Sequence, residues 1–309
     1  MSTKGCAVEK SVFVLLIGDS EGQPVDLYQR LQESDAALTA RAAGVKVEVV
    51  WATNFEQYGQ VRRRFAATPP DGVIVEPASV ATAGLILGYL KGRTGLVLLN
   101  AWDRAFEDYR SAWGQQPLAT ISQPQAQIGE IQGRQLSGAA MPQGAQVLVV
   151  TGPMRSSAAQ TRLDGLRSSV RKDIVLHTTE AGQWTEPDGV LAFNSWYGVF
   201  RSRKEEIHAI VAQSDDLAIG AQKAAQALAN PAHVAMFRSA QLFGAGAVPG
   251  YGRELVDNGT LTASVTIRPN AGQAIAMLKQ FWADGRPLPA RSESEALPYP
   301  ASSVGKPAR

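Results

Sequence analysis

Short, continuously apolar runs alternate along this chain with longer segments of helical periodicity. Ten of these runs are rich in Val, Ile and Leu and predict strands, at 12–18, 46–52, 72–77, 95–100, 118–122, 146–152, 173–180, 209–213, 240–246 and 261–267. Runs without polar alternation indicate strands that are covered on both faces, as in parallel sheets.

The segments between the strands predict helices. Nine of them carry the spacing of an amphipathic helix, at 24–43, 56–67, 79–91, 125–140, 156–171, 190–205, 216–229, 249–258 and 269–284. Strands that alternate with helices in this way are typical of a doubly wound α/β fold.

The series of strands divides into two parts near its middle. Ten strands are many for one sheet, and a fresh strand–loop–helix unit begins at 145–166 with the same layout as the opening unit at 11–44. The sequence therefore predicts two lobes of similar architecture. The segment 286–309 is rich in Pro, Ser and charge, which predicts an irregular closing segment with a frayed end.

Composition narrows the function classes. The chain has 309 residues, of which 45% are hydrophobic, and 30 Lys and Arg balance 28 Asp and Glu. This balance gives no global field directed at nucleic acid or at a membrane surface. The one cysteine, Cys6, excludes an internal disulfide framework and a cysteine-based zinc cluster. Cys6 lacks the preceding apolar stretch that lipidation of an N-terminal cysteine requires.

The N-terminal segment leaves the location of the protein open. The apolar run of the first strand is too short for an export signal and leads directly into the first unit, and no run approaches the length of a membrane span. Either Met1 is native and the protein is cytoplasmic, or a leader that directs it to the periplasm has been removed.

Motifs for nucleotide binding and catalysis are missing from the sequence. The loop GDSEGQP has two glycines and no lysine, and Asp19 and Glu21 would repel a phosphate. Ser156 and Ser157 at a helix start are either N-capping residues or groups for ligand capture. The three histidines have no metal spacing, and no G-x-S-x-G elbow is present. We expect no enzyme, no metal and no cofactor, and we interpret Asp215 or Asp216 as the cap of the helix that follows.

Polar and aromatic residues follow the predicted strands or begin the helices after them. These candidates for ligand binding are Asp19, Ser20, Gln23, Glu76, Asn100, Arg162, Trp184, Ser214 and Asp215. Each is alternatively a cap or a solvated loop residue, and Trp184 is alternatively a packing residue. Together they would line one face of each lobe, and two opposed faces make a cleft for a small polar ligand.

Four segments resemble the type I periplasmic binding proteins, specifically the ribose-binding-like solute-binding family that also supplies LacI-type sensor domains. The segments are PDGVIVEPAS, GAQVLVVTGPMRSSAAQTRLDGLRSSV, AIVAQSDDLAIGAQKAAQAL and RELVDNGTLTASVTIRPNAGQAI. They occur in the family's order and spacing, and the resemblance extends over roughly residues 11–285.

The resemblance implies two doubly wound parallel-sheet lobes joined by a three-segment hinge, with the ligand cleft between them. The N-terminal lobe would comprise 10–121 plus 269–289, and the C-terminal lobe 124–266 plus 292–305. The hinge crossovers would lie near 121–124, 266–269 and 288–292.

The positions at which the family contacts its ligands can be compared with this sequence residue by residue. Asp19 and Gln23 stand in the first loop, where the family has Ser or Asp and Asn. Glu76 replaces an Asn or Ser, and Asn100 replaces an acidic residue. Arg162 matches a ligand-binding arginine, Trp184 matches an aromatic wall, and Ser214 replaces an Asn before the matching Asp215.

Three departures argue against a hexose or ribose typical of the family. Val25 and Asp26 stand where the family stacks aromatic rings, the family's late glutamine is Ile267, and FGAGAVPGYG lacks the family's aspartate. Sugar hydroxyls left unpaired by the loss of the glutamine and the aspartate would cost about 1–3 kcal/mol each. We expect three acidic residues, Asp19, Asp26 and Glu76, to face Arg162. They suggest an amine-bearing ligand as an alternative to a sugar-like one.

The resemblance implies a monomer that binds a small polar solute and delivers it to an ABC permease or a receptor. The alternative is a cytosolic ligand sensor without its own DNA-binding domain, since no helix-turn-helix precedes the first strand. We expect neither nucleic-acid binding nor membrane insertion. The sequence also predicts that Arg162→Ala abolishes stabilisation by ligand and leaves the melting temperature of the free protein little changed.

Overall fold

The computed structural model describes residues 9–101, 104–202 and 205–304. Cys6 lies outside these ranges. The chain divides into two compact units, of which unit 1 is Met1–Gln123 with Arg268–Ser294 and unit 2 is Pro124–Ile267 with Glu295–Arg309. The chain therefore changes unit after residues 123, 267 and 294. A hinge role for these three segments stays a prediction.

Twelve strands occur in the described residues: β1 (Ser11–Ile17), β2 (Lys46–Ala52), β3 (Gly72–Val75), β4 (Gly95–Leu99), β5 (Leu118–Ser122), β6 (Gln146–Thr151), β7 (Val175–Glu180), β8 (Ile207–Ala212), β9 (Gln241–Phe243), β10 (Ser264–Ile267), β11 (Arg291–Glu293) and β12 (Ala296–Tyr299). The α-helices of the same ranges are α1 (Leu27–Ala43), α2 (Asn54–Ala67), α3 (Val80–Leu90), α4 (Phe106–Ser111), α5 (Gln125–Gly138), α6 (Ser157–Ser169), α7 (Glu186–Phe200), α8 (Asp215–Gln226), α9 (Pro231–Ser239), α10 (Gly252–Asp257) and α11 (Ala271–Asp284).

Unit 1 contains one parallel six-stranded sheet in the order β11-β5-β4-β3-β1-β2. One apolar cluster packs α1 and α11 against the sheet, and a second packs α2, α3 and α4 against it. The strand order reverses between β1 and β3. In doubly wound folds the carboxyl ends of the strands at such a reversal form the ligand-binding crevice.

Unit 2 contains a parallel four-stranded sheet in the order β7-β6-β8-β9 and an antiparallel pair of β10 with β12. Its strand order reverses between β6 and β8. The helices α5 and α6 pack together unusually closely, because glycines stand at their contact. A Cβ atom on Gly129 would lie 1.9 Å from the carbonyl oxygen of Arg162, and one on Gly165 would lie 2.2 Å from that of Ala126.

The prediction of two doubly wound α/β units with parallel sheets is confirmed. Two helices were missing from the prediction. The six residues of α4 are too few to show a helical period, whereas α9 carries a readable start signal, since Asn230 accepts a hydrogen bond from Ala232 N and Pro231 follows it.

The prediction of an irregular closing segment was wrong for residues 291–303. β11 extends the sheet of unit 1 beside β5, and β12 pairs with β10 in unit 2. Both strands are short and partly polar, so their pattern does not reveal them. Pairing with strands distant in sequence creates them.

Candidate functional site

The loop after β1 is held by Asp19. One oxygen of its carboxylate, Oδ1, accepts hydrogen bonds from Glu21 N and Gln23 N, each at 2.9 Å. Its other oxygen has no partner among the described residues. The side chains of Ser20 and Gln23 are exposed. Asp19 therefore shapes this loop and keeps one oxygen available to a ligand.

Glu76 follows β3 at the reversal of the unit 1 sheet. Its side chain is buried, and three amide groups donate to it: Gln29 Nε2 at 3.1 Å, Gln32 Nε2 at 3.3 Å and Asn100 Nδ2 at 2.8 Å. Burial raises the pKa of the Glu76 carboxyl to about 7, against the opposing effect of the three amide donors. Asp26, rather than a cation, is the charged group that acts on this pKa.

Asn100 joins Glu76 to the segments at which the chain leaves unit 1. Its Oδ1 accepts hydrogen bonds from Gln123 N at 3.1 Å and from Asn270 Nδ2 at 2.9 Å. The backbone of Asn100 has a φ of 52°, a left-handed conformation that asparagine tolerates better than most residues. The side-chain oxygen of Asn100 and one of its amide N–H groups are thus already hydrogen-bonded within the protein. The main effect of Asn100 is therefore to fix the strand ends around Glu76.

Two further members of this network, Gln32 and Asn270, were not among the predicted residues and have only a weak signal in the sequence. Gln32 Oε1 accepts from Asn270 N and Ala271 N, and Gln32 Nε2 donates to Asn270 Oδ1 at 2.7 Å. The glutamines of α1, Gln29 and Gln32, share the buried helix face with Ala36 and Ala40. Glutamines on an otherwise apolar helix face are the pattern that identifies such a network.

We expect the stability of the protein to depend on pH through Glu76. The carboxyl has a pKa of about 7 when folded and an ordinary value of 4.5, so the folded state binds the extra proton between these values. Stability from this group is therefore greatest below about pH 4.5 and is lost as the pH rises through about 7, by about 3 kcal/mol in total.

Glu76→Gln removes this titration while it keeps the size of the side chain. Denaturant unfolding at about pH 5 and about pH 8 should show the variant losing less stability than the wild type over this interval, by about 2–3 kcal/mol. Asp215 also has a buried carboxyl, and desolvation raises its pKa to about 6. This carboxyl titrates in both proteins, so its effect on stability cancels when the two losses are compared. Equal losses in the two proteins would contradict the prediction.

Arg162 lies at the corresponding end of the unit 2 sheet, and it is buried. Its Nε donates to Gln125 Oε1 and its Nη1 donates to the carbonyl oxygen of Gln213, each at 2.6 Å. The guanidinium carbon also lies 5.0 Å from the ring centre of Trp184, within the range of a cation–π interaction.

Trp184 is partly buried and lies over Gly152, the residue after β6. A Cβ atom on Gly152 would lie 2.4 Å from Cη2 of the indole, so this glycine provides the space for the ring. The packing role and the ligand-binding role of Trp184 are therefore compatible. One part of the ring contacts Gly152 and Arg162, and the remainder stays accessible.

Gln213 is buried at the centre of this group, and it was not among the residues predicted from the sequence. Its Oε1 accepts from Gly152 N at 3.0 Å and its Nε2 donates to Ala159 O at 2.9 Å. It thereby ties the ends of β6 and β8 to the start of α6. A signal was present in the sequence, since Gln213 directly follows the apolar run of β8.

The interpretation of Asp215 or Asp216 as the cap of α8 was wrong. Ser214 is the N-cap, because its Oγ accepts a hydrogen bond from Leu217 N at 3.1 Å. Asp215 is buried and accepts from Ser264 Oγ at 2.6 Å and from Ala247 N at 2.7 Å. Asp215 thus anchors the loop 244–252, and its two oxygens are already bound within the protein.

The predicted residues therefore form two groups, one in each unit. Unit 1 brings together Glu76 and Asn100 near the loop of Asp19, and unit 2 brings together Arg162, Trp184 and Ser214. Both groups stand at the carboxyl ends of parallel strands. Among the described residues, no group of three His, Cys, Asp or Glu side chains is placed to hold a metal ion. In the same ranges, no helix has the length and apolarity needed to cross a bilayer.

Two doubly wound units with polar groups at their strand reversals define an α/β ligand-binding protein. Residues 26–286 match the family model of the periplasmic binding protein domain, so the chain belongs to this family. The family resemblance is thereby confirmed. The match begins after Asp19, Ser20 and Gln23 and includes the other candidate residues. No curated protein sequence matches the chain.

Solved structures show the same fold at low sequence identity. An ABC transporter periplasmic solute binding protein from Actinobacillus succinogenes, with bound D-allose, is 16% identical, with a TM-score of 0.78 over 96% of this chain and 99% of that one. A solute binding protein from Bacillus halodurans, with bound myo-inositol, is 16% identical, with a TM-score of 0.75 over 97% of each chain. The fructose binding periplasmic domain of a hybrid two-component system is 19% identical, with a TM-score of 0.73 over 94% of this chain and 90% of that one.

Proposed function

We propose that this chain binds a small polar solute, sugar-like or amine-bearing, without transforming it chemically. The observation that carries the proposal is the pairing of Arg162 with Trp184 at the strand reversal of unit 2, in a member of the periplasmic binding protein family. A fixed cation beside an aromatic face offers both a hydrogen-bonding group and an apolar surface, as sites for polar small molecules require.

In this proposal, polar groups at the strand ends of each unit bind the ligand. Asp19, Ser20 and Gln23 of unit 1 and Arg162 and Trp184 of unit 2 contact it. The residues that act behind them, because their hydrogen-bonding atoms are largely used within the protein, are Glu76, Asn100, Ser214 and Asp215. The bound solute is then delivered to an ABC permease or a receptor, with the chain acting as a monomer in the periplasm.

Two features bear on the class of ligand. Asp19 and Asp26 favour an amine-bearing molecule. Burial raises the pKa of Glu76 to about 7, and partial protonation of this carboxyl near neutral pH weakens the negative field of unit 1, which favours an uncharged polyol or sugar. A thermal-shift screen over sugars, polyols, amino acids, polyamines and nucleosides separates these classes. A ligand at 100 times its Kd adds about 2.7 kcal/mol to the stability of the folded state.

The second candidate function is a cytosolic ligand-sensing domain of a signalling or regulatory system. The similarity to the fructose binding periplasmic domain of a two-component system supports ligand sensing as a role for this fold and does not bear on the location of this chain. Both functions need the same binding site and differ in the location and partner. Fractionation of cells that carry the intact gene distinguishes the two functions. Recovery of the protein in the periplasm agrees with delivery to an importer or a receptor. Recovery in the cytoplasm supports the cytosolic sensor.

We expect Arg162→Ala to abolish the shift in melting temperature that a ligand produces. The structure changes the second part of the sequence-based expectation, because the variant leaves Gln213 O and Gln125 Oε1 without their donor. The free protein should therefore lose about 1–3 kcal/mol as well.

Arg167→Ala is the matched control, since Arg167 is exposed on the same helix. The control should keep both the ligand shift and the stability of the free protein. Thermal melts of the three proteins, with and without a ligand found in the screen, measure both effects. A full ligand shift in Arg162→Ala would remove Arg162 from the site.

A further inference from the structure

An open groove lies on the surface of unit 1 beside α3, away from the strand ends described above. It has a volume of about 670 Å³ and is lined by residues of α2, α3 and α4 and of the loop after α3. Gly84 and Gly88, one helical turn apart, leave two partly exposed positions of α3 without side chains. Next to them, the side chain of Leu85 is 56% exposed. This surface therefore has room for an apolar side chain from another molecule.

Three tyrosines line the groove: Tyr58, Tyr89 and Tyr109. The rings of Tyr58 and Tyr89 meet edge to face with their centres 5.9 Å apart, and the Arg93 guanidinium stacks at 4.4 Å from the centre of Tyr89. Within residues 9–101, 104–202 and 205–304, none of the three phenol hydroxyls has a hydrogen-bond partner. Three tyrosines whose O–H groups have no partner among the described residues thus line one groove.

Cations surround these donors. Lys91 lines the groove, and the Arg62 guanidinium lies 5.8 Å from the ring centre of Tyr58. Arg62 and Lys91 are both exposed, and neither forms an ion pair with a carboxylate of the described residues. Arg93 completes the group and donates to the carbonyl oxygens of Leu90 and Tyr89. The surface therefore combines positive charge, free donors and an apolar residue.

We propose that this groove is a docking surface for an acidic segment of a partner protein. Carboxylates of that segment bind Arg62, Lys91 and the tyrosine hydroxyls, while one apolar side chain enters beside Leu85. Charge complementarity selects this occupant. A second copy of the chain is a poor occupant, since a two-fold contact would place the same cations against one another. A lipid surface suits a protruding apolar face better than a concave one.

The test uses the full chain and a short fluorescent peptide of alternating glutamate and leucine, with a glutamine and leucine peptide as the neutral counterpart. Fluorescence anisotropy should show saturable binding of the acidic peptide that weakens at high ionic strength, and no binding of the neutral one. Arg62→Gln/Lys91→Gln should weaken binding roughly tenfold, the scale of two exposed ion pairs. Arg41→Gln/Lys279→Gln removes the same charge from exposed positions of α1 and α11 and should leave binding unchanged.

Gly84→Leu separates groove binding from attraction by charge alone. A Cβ atom on Gly84 meets no atom within 4 Å, so the variant folds normally, and its larger side chain fills the groove. We expect it to abolish peptide binding while the charge is unchanged. Binding that persists in Gly84→Leu, equal losses in the two charge variants, or association with anionic vesicles in place of the peptide would each overturn the proposal.

Discussion

Gly129→Val should lower the free energy of unfolding of this protein by about 3 kcal/mol or more. A Cβ atom at this position would lie 1.9 Å from the carbonyl oxygen of Arg162 and 2.9 Å from Leu166 N. Both atoms belong to the backbone of α6, so no side-chain rotation relieves the contact, and α5 and α6 must move apart. Overpacking in a well-packed core costs about 1–3 kcal/mol when side chains can adjust, and backbone contacts place this site at the upper end.

Gly198→Ala is the control for Gly129→Val. Gly198 lies in α7 of the same unit, and a Cβ atom there would meet no atom within 4 Å. Replacement of a helical glycine by alanine at such a site should raise stability by about 0.5–1 kcal/mol. Denaturant unfolding of both variants measures the difference. A Gly129→Val protein as stable as the wild type would show that α5 and α6 do not pack as described.

The separation of α5 and α6 should also impair ligand binding. Arg162 is a residue of α6, and its Nε is held by Gln125 of α5. A shift of α6 displaces the guanidinium from Trp184 and from the carbonyl oxygen of Gln213. We therefore expect the ligand-induced thermal shift of Gly129→Val to fall together with its stability, whereas Gly198→Ala should retain the full shift.

The second large effect is expected for Asp215→Ala, with a loss of about 3 kcal/mol. The substitution leaves the Ser264 hydroxyl and the Ala247 N–H buried without their acceptor, at about 1–3 kcal/mol each. Ala247 has a φ of 41°, a left-handed conformation that alanine adopts only when its surroundings enforce it. Loss of the carboxylate removes part of that enforcement, so the loop 244–252 should become mobile.

The glycines around Asp215 explain why no other side chain replaces it well. Cβ atoms on Gly244 and Gly252 would each lie 2.1 Å from a carboxylate oxygen of Asp215. The backbone approaches the carboxylate on two sides, and a larger group does not fit. Asp215→Asn keeps the shape and one acceptor oxygen, so its stability should lie between those of Asp215→Ala and the wild type.

Asp164→Ala provides the matched control, since Asp164 is exposed on α6. Its unfolding free energy should stay within about 0.5 kcal/mol of the wild type. Denaturant unfolding ranks the variants, and limited proteolysis reports on the loop, with cleavage between residues 244 and 252 expected in Asp215→Ala alone. An uncleaved loop with normal stability would show that Asp215 is not its anchor.

Several features of this protein could be predicted from the sequence because they depend on local patterns. Continuous apolar runs identify β1, β4 and β6 as covered strands, since a run without polar alternation cannot face water on either side. The polar residues that directly follow these strands mark the strand ends. The four family-like segments led to the family that the match over residues 26–286 establishes.

Other features depend on contacts between residues far apart in the chain. Gln32 meets Asn270, 238 positions away, and Asp215 meets Ser264, 49 positions away. No local pattern states which polar groups such a residue will satisfy. For this reason Asp215 was interpreted as a helix cap, whereas the fold uses it to hold the loop 244–252.

Local sequence patterns specify the α/β class, the alternation of strands and helices, and the presence of polar groups at the strand ends. Contacts between distant segments specify which of those groups are bonded within the protein. Glu76 and Asn100 are hydrogen-bonded by their neighbours, whereas one carboxylate oxygen of Asp19 has no partner in the part of the chain that the structure describes. The physical reason is that apolar periodicity is encoded locally, whereas a buried hydrogen bond forms only where the packed backbone brings donor and acceptor together.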